Sequence, residues 1–157
     1  MANADKAFGL SPISNNPATD TLTAGGTFAK GDILMISGGK VVVFDHGGGS
    51  LPCGVAASAG SSGASCIVYT DPDTVYSCQT KTGTAYVKAT HDLTYVDTDG
   101  ATGAMEADLS ASTNNTLFVL GHYPIKGSED VGAHSVIKVK LAQNALGSTP
   151  SASSAPA

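Results

Sequence analysis

Residues Ile137, Lys138, Val139, Lys140 and Leu141 alternate apolar and lysine side chains without a break. A period of two places Ile137, Val139 and Leu141 on one face of a strand and both lysines in water. Upstream, Leu117, Phe118, Val119 and Leu120 form a continuous apolar run, the length of a strand buried on both faces. Gly121, Pro124 and Gly127 break the chain between the two. No window of helical length repeats apolar residues at the i, i+3, i+4 and i+7 spacing, so the signal throughout is β.

The rest of the chain supplies strands of the same kind. Runs at 31–37 and 40–45 flank Gly38 and Gly39, a two-residue loop suited to the positive φ angles of a tight hairpin. Further short strands are expected near 53–58, 66–69, 75–79, 85–88 and 93–96, and a long polar loop from Asp97 to Asn115. About eight short antiparallel strands with turns between them predict an all-β fold, one compact β-barrel or β-sandwich. With 157 residues there is room for one sizeable core. The domain is expected over 29–146, behind an extended N-terminal arm at 1–28. That arm is polar apart from anchors such as Phe8, Leu10 and Ile13. Residues 147–157 contain only Gly, Ser, Thr, Pro and Ala, too little apolar area to offset their own ordering.

Composition excludes several roles. The net charge is −5, there is no arginine, and only 13% of residues are charged, against about 25% in a typical domain. Nineteen Gly, 17 Ser and 16 Thr leave a surface of hydroxyls and small groups. Without a basic patch, neither nucleic acid nor an anionic membrane is an expected partner. No window approaches a membrane span and MANADKAFGL lacks a signal-peptide core, so synthesis in the cytoplasm is expected. Cys53, Cys66 and Cys78 are odd in number and lack CxxC spacing, which favours buried or half-buried free thiols over disulfides or zinc.

Catalytic patterns fall short. Asp97, Asp99 and Gly100 begin like a calcium loop, but Ala101, Thr102 and Asp108 occupy the wrong register. His46, His91, His122 and His134 form no HxH or HxxxH pair. Gly60 to Ala64 misses the nucleophile-elbow spacing, and Lys126 precedes Gly127 in an inverted phosphate-loop order. The expectation is no enzyme, no cofactor and no metal.

Several stretches in order resemble the head decoration, or cement, proteins of tailed bacteriophages. Ala2 through Ile13 is similar to their "ANAD-x-x-FGF-x-PV" start, and Gly31-Asp32-Ile33-Leu34 with Gly38-Gly39-Lys40-Val41 to their early hairpin. Leu51 to Ala57 is similar to "ILGVAA", Val68 to Tyr76 to "V-Y-D-DPDQ-x-F", and Met105 to Ser110 to "GMELD". Leu117 to Gly121, with Val131 to Leu141, is similar to the "LRILGL … GAHAVVLVKI" ending. Arginine is missing where that family carries it, and residues 79–102 do not follow its pattern.

The resemblance implies a structural protein on the outer surface of the virion. It would bind the major capsid protein and stabilise the shell by bridging its subunits, as a homo-oligomer, with a trimer the leading expectation. It implies no active site. Phe8, Leu10, Pro12 and Ile13 are the expected contacts with capsid or neighbour, and deleting residues 1–13 is expected to weaken attachment while leaving the domain folded. The alternative is a virion- or cell-surface β-domain that binds glycans or another host ligand through Tyr86, Tyr95 or Tyr123 and the loop 101–115.

Overall fold

A computed structural model describes residues 3–13, 17–46, 51–126, 129–142 and 145. The described chain is almost entirely β, in two antiparallel sheets. In chain order the elements are β1 (Ser11–Pro12), β2 (Thr19–Thr23), β3 (Ile33–Ser37), β4 (Lys40–Val43), β5 (Pro52–Ala56) and β6 (Ser65–Tyr69). There follow β7 (Tyr76–Gln79), the single turn α1 (Lys88–His91), β8 (Tyr95–Asp99), β9 (Glu106–Asp108), β10 (Leu117–His122) and β11 (Val136–Leu141). One sheet runs β1-β7-β11-β10-β8-β9 and the other β2-β6-β5-β3-β4. The sandwich expectation is met, with eleven strands in place of about eight.

The alternating stretch behaves as its period requires. Ile137, Val139 and Leu141 are buried in β11, and Lys138 and Lys140 are half-buried on the outer side. β10 departs from its expectation. Leu117 and Val119 are buried, but Phe118 and Leu120 are only half-buried. The outer face of this sheet is only partly covered. Across it Phe118 stands opposite Tyr95 and Lys140.

The hairpin forms as expected, with Gly38 and Gly39 at φ 59° and 78° between β3 and β4. Two regions differ. The strand expected at 85–88 is an isolated bridge, Ala85 to Ala133, followed by α1, whose C-cap is Asp92. The stretch 97–115 is not one loop, because β8 runs on to Asp99 and pairs with β9. Residues 47–50, expected as a loop, and the tail at 147–157 lie outside the described residues.

The largest cluster joins Ile33, Phe44 and Val55 of the five-stranded side to Tyr76, Cys78, Leu117, Val119, Ile137 and Val139 of the other sheet. The five-stranded sheet also buries its far face, where Phe28 covers Leu34, Val41, Cys53, Cys66 and Val68. Both sheets curl. Ala24, after β2, bridges Val41 in β4 and joins the two edges of one sheet, and Thr80, after β7, bridges Ala107 in β9 and draws the edge strand of the other sheet round. All three cysteines are free and buried, as their spacing indicated.

The boundary expected at residue 28 is not a boundary. β2 pairs with β6 over its full length, and Ala24 and Phe28 are core residues, so 19–28 belongs to the body. Asp32, fully buried, ties this region to the loop after β8. Its Oδ2 accepts from Ala29 N at 2.9 Å and its Oδ1 from Gly103 N at 2.7 Å. Both oxygens of a buried carboxylate are thus paired, which is the condition for tolerating one in a core.

Sheet contact is tight at Gly54. A Cβ there would lie 2.2 Å from the carbonyl oxygen of Tyr69 in the adjacent strand β6. Relief would require prising β5 from β6. Gly54→Ala is therefore expected to destabilise the fold by about 3 kcal/mol, the upper end for an overpacked core. A urea midpoint equal to the parent's would refute the close approach.

Candidate interaction surface

Residues 3–13 do not project. They form a strap along the body, held mainly by side chains that stand in for a β-ladder. Asn3 Nδ2 donates to the carbonyls of Asp130 and Ala133 at 2.7 and 2.9 Å, and its Oδ1 accepts from Asp130 N at 2.9 Å. Gln79, 1% exposed, accepts from Lys6 N at 2.9 Å and donates to Ala4 O at 2.7 Å and His134 O at 3.1 Å. A glutamine amide has one acceptor and two donor hydrogens, so every group of this buried side chain is used. Asp5 reaches Thr82 Oγ1 at 3.4 Å and lies 3.4 Å from His134 Nδ1.

The strap then enters the fold. Leu10 N donates to Gly31 O at 2.9 Å, and the Leu10 side chain, 2% exposed, sits in the main core. Two glycines permit this approach: a Cβ on Gly9 would stand 2.7 Å from Gly31 O, and one on Gly31 3.1 Å from Phe8 O. Beyond it β1 pairs Ser11 with Ser77 and Pro12 with Tyr76, and Ile13 N donates to Val75 O at 2.9 Å. Inward and outward bonding alternate along an antiparallel edge, so Pro12 is the residue whose nitrogen faces away from β7. It has no N–H to offer there. A proline in this position blunts the edge against a further strand.

Of the four expected contact residues, Leu10 is corrected: it anchors the strap in its own core and is not available to a partner. Phe8, Pro12 and Ile13 are half-buried and come together with Ser11, Ser77, Tyr123 and Ile125 around an open groove of about 530 Å³. Tyr123 and Ile125 follow β10, whose return to β11 is marked by Tyr123 N donating to Val136 O at 2.8 Å. The pattern 8-12-13 hinted at the first wall. Nothing local in the sequence announced the second.

The aromatic candidates for a glycan separate. Tyr86 is corrected, since it is 1% exposed and packed between His122, at 5.7 Å, and His91, at 6.2 Å. Its hydroxyl donates to Asp92 Oδ1 at 2.5 Å, and burial together with that carboxylate pushes the phenol up to about 12. Burial works to raise Asp92 as well, but hydrogen bonds from Lys88 and Tyr86, with Lys138 nearby, hold it below the usual carboxylate value. Tyr95 is 52% exposed and lies 5.0 Å from Phe118, ring to ring.

Several other charged groups are tied to structure. Asp97 does not serve a calcium loop; its carboxylate accepts from Thr113, Asn114 and Asn115 N at 3.2, 2.8 and 2.8 Å and fastens that loop. Asp99 turns to Lys81 at 2.7 Å, and hydrogen bonds from Lys81 and Gly100 N lower it. Glu106 is raised by burial and by Asp5 and Asp99, with His134 and Lys81 opposing. His46 contacts Thr98 Oγ1 at 2.6 Å and Gly100 O at 3.2 Å. Among the described residues no three His, Cys, Asp or Glu side chains gather as metal ligands would. No described helix is long and apolar enough to cross a membrane.

No known family, curated protein or solved structure matches this chain.

Proposed function

We propose that this is a structural virion protein, a decoration subunit that binds the outside of a phage capsid and bridges major capsid protein subunits. It acts there as a homo-oligomer, a trimer in the first instance, without cofactor, metal or catalytic step. With a net charge of −5 and no arginine, neither nucleic acid nor membrane is its partner. The observation that carries the reading is the strap, which presents Phe8, Pro12 and Ile13 beside an open groove that Ser11 and Ser77 also line. Modest contacts of that size suffice on a shell, because repetition at fixed spacing raises the effective concentration of each one.

The test is co-sedimentation with expanded capsids that lack the protein. Binding should saturate at a copy number compatible with the shell's symmetry, and Ile13→Asp should reduce occupancy at a given concentration. Absence of saturable binding overturns the role. A glycan-binding surface domain is the second reading, favoured by the exposed Tyr95 beside Phe118. Saturable glycan binding lost in Tyr95→Ala, without capsid binding, would decide for it.

A further inference from the structure

The groove excludes one kind of occupant and suits another. A strand cannot extend the sheet at β1, which is two residues long and carries Pro12 where an outward N–H would be needed. What remains is a chain that makes no ladder. A polyproline II segment has no internal hydrogen bonds and docks in grooves walled by aromatic rings. Here Phe8 and Tyr123 are the rings, Pro12, Ile13 and Ile125 add apolar contacts, and Ser11 and Ser77 make the rest of the lining polar. The free carbonyls of such a segment need donors, which the Tyr123 phenol can supply.

The chain itself contains a segment of this chemistry. Residues 147–157 carry no charge on any side chain, and their prolines, Pro150 and Pro156, are six residues apart. At three residues and about 9 Å per turn, six residues make two full turns of polyproline II, so in that conformation both rings would lie on one edge about 19 Å apart. We propose that residues 147–157 of a second copy dock in the groove between Phe8 and Tyr123, linking neighbouring subunits.

A second copy is favoured by where the tail begins. Leu141, at the end of β11, pairs with Leu117, whereas Tyr123 meets Val136 at the strand's start. Five residues of strand separate the two by about 17 Å. Ala145 N then donates to Pro52 O at 2.8 Å, which carries the chain to β5 in the other sheet. A tail entering its own groove would have to reverse across the body, a constraint a neighbour's tail does not meet. The inference rests on the proposed role in expecting copies to lie side by side, and it gives the groove beside Phe8 and Ile13 to a neighbouring subunit.

The test uses free protein. A fluorescein-labelled peptide of residues 146–157 is titrated into the chain truncated after residue 146, and anisotropy is read. Saturable binding is expected, weakened at least about tenfold by Pro150→Ala with Pro156→Ala in the peptide, and likewise by Tyr123→Ala in the protein. Ile67→Ala, exposed on β6 of the other sheet, should leave it unchanged. In sedimentation velocity the full-length chain should associate with rising concentration and the truncated chain should not. No peptide binding, or binding indifferent to Tyr123 and both prolines, overturns the proposal. Peptide binding by the truncated chain with a full-length chain monomeric at every concentration also overturns it, by assigning the groove to the chain's own tail. Capsid co-sedimentation of the truncated protein reports separately on decoration, so either idea can fail alone.

Discussion

Deleting residues 1–13 lowers the thermal midpoint of the domain by about 10 °C, or unfolds it, before any effect on attachment can be read. The segment looks like a detachable arm because it is polar and proline-containing, but Leu10, one of its two large aliphatic residues, points inward. Leu10 is 2% exposed and shares the main core with Ile33 and Tyr76. Truncating such a leucine costs about 2–5 kcal/mol. Deletion also takes Lys6 N and Ala4 O from the buried Gln79, leaving only its bond to His134 O. A buried polar group left short of partners costs about 1–3 kcal/mol more.

The ordering entropy of the strap, no longer required, offsets part of this. A net loss near 4 kcal/mol is a large share of the roughly 5–15 kcal/mol that holds a domain together. For a chain of this size each kcal/mol is worth about 2–4 °C. Two variants separate the contributions. Leu10→Ala keeps the strap's polar contacts and should account for most of the loss; removing residues 1–6 keeps Leu10 and should cost about 1–2 kcal/mol. A 1–13 deletion melting within about 2 °C of the full chain would show that the strap does not belong to the core. For the same reason, contacts at Phe8, Pro12 and Ile13 are better tested by point substitution than by truncation.

How much was legible depends on the range of the interactions. β11 was readable because five alternating residues state both the strand and its buried face. The β3–β4 hairpin was readable because Gly38 and Gly39 sit where a two-residue turn needs positive φ. The strap was misjudged because its attachments are long-range. Asn3 bonds to residues 127 and 130 positions away, and Gln79 reaches back more than 70. No periodicity encodes a side chain that substitutes for a ladder.

The loop at 97–115 failed for a similar reason. β9 is three residues long, and its pairing is decided by Met105, whose sulfur accepts from Ile33 N at 3.1 Å, and by Ala107 against Thr80. At the candidate surface one wall of the groove lay in a recognisable cluster of apolar residues. The other was supplied by Tyr123 and Ile125, brought in by the β10–β11 return. Sequence named the residue types for the role, and tertiary pairing decided which of them face out.

Alkali should unfold this protein through its thiols. Cys53, Cys66 and Cys78 are buried, and among the described residues no cation acts to stabilise a thiolate at any of them. Burial pushes Cys53 from its ordinary 9.0 to about 11, with Cys66 adding a smaller push against an opposing backbone hydrogen bond. Burial with nearby Glu106 pushes Cys78 to about 12, and burial alone raises Cys66. Tyr86 at about 12 and a raised Tyr76 act in the same sense. For an acid whose folded pKa is raised, the neutral form is the one the fold prefers. Its contribution is complete below the unfolded pKa and is lost as pH climbs from there towards the folded value.

The window therefore opens near pH 9 and extends to about 12. Cys53 alone corresponds to about 3 kcal/mol and Cys78 to about 4 kcal/mol across it, together comparable with the stability of a whole domain. Urea midpoints should be flat from pH 7 to 8.5 and fall steeply above pH 9.5. A thiol reagent at pH 8 should label none of the three cysteines until urea unfolds the chain. Cys78→Ala loses some packing but also removes one titration, so its midpoint should decline less steeply with pH than the parent's. A midpoint unchanged between pH 8 and 10.5, or a cysteine that reacts at once in native buffer, would mean that the thiols are not held in the core as described.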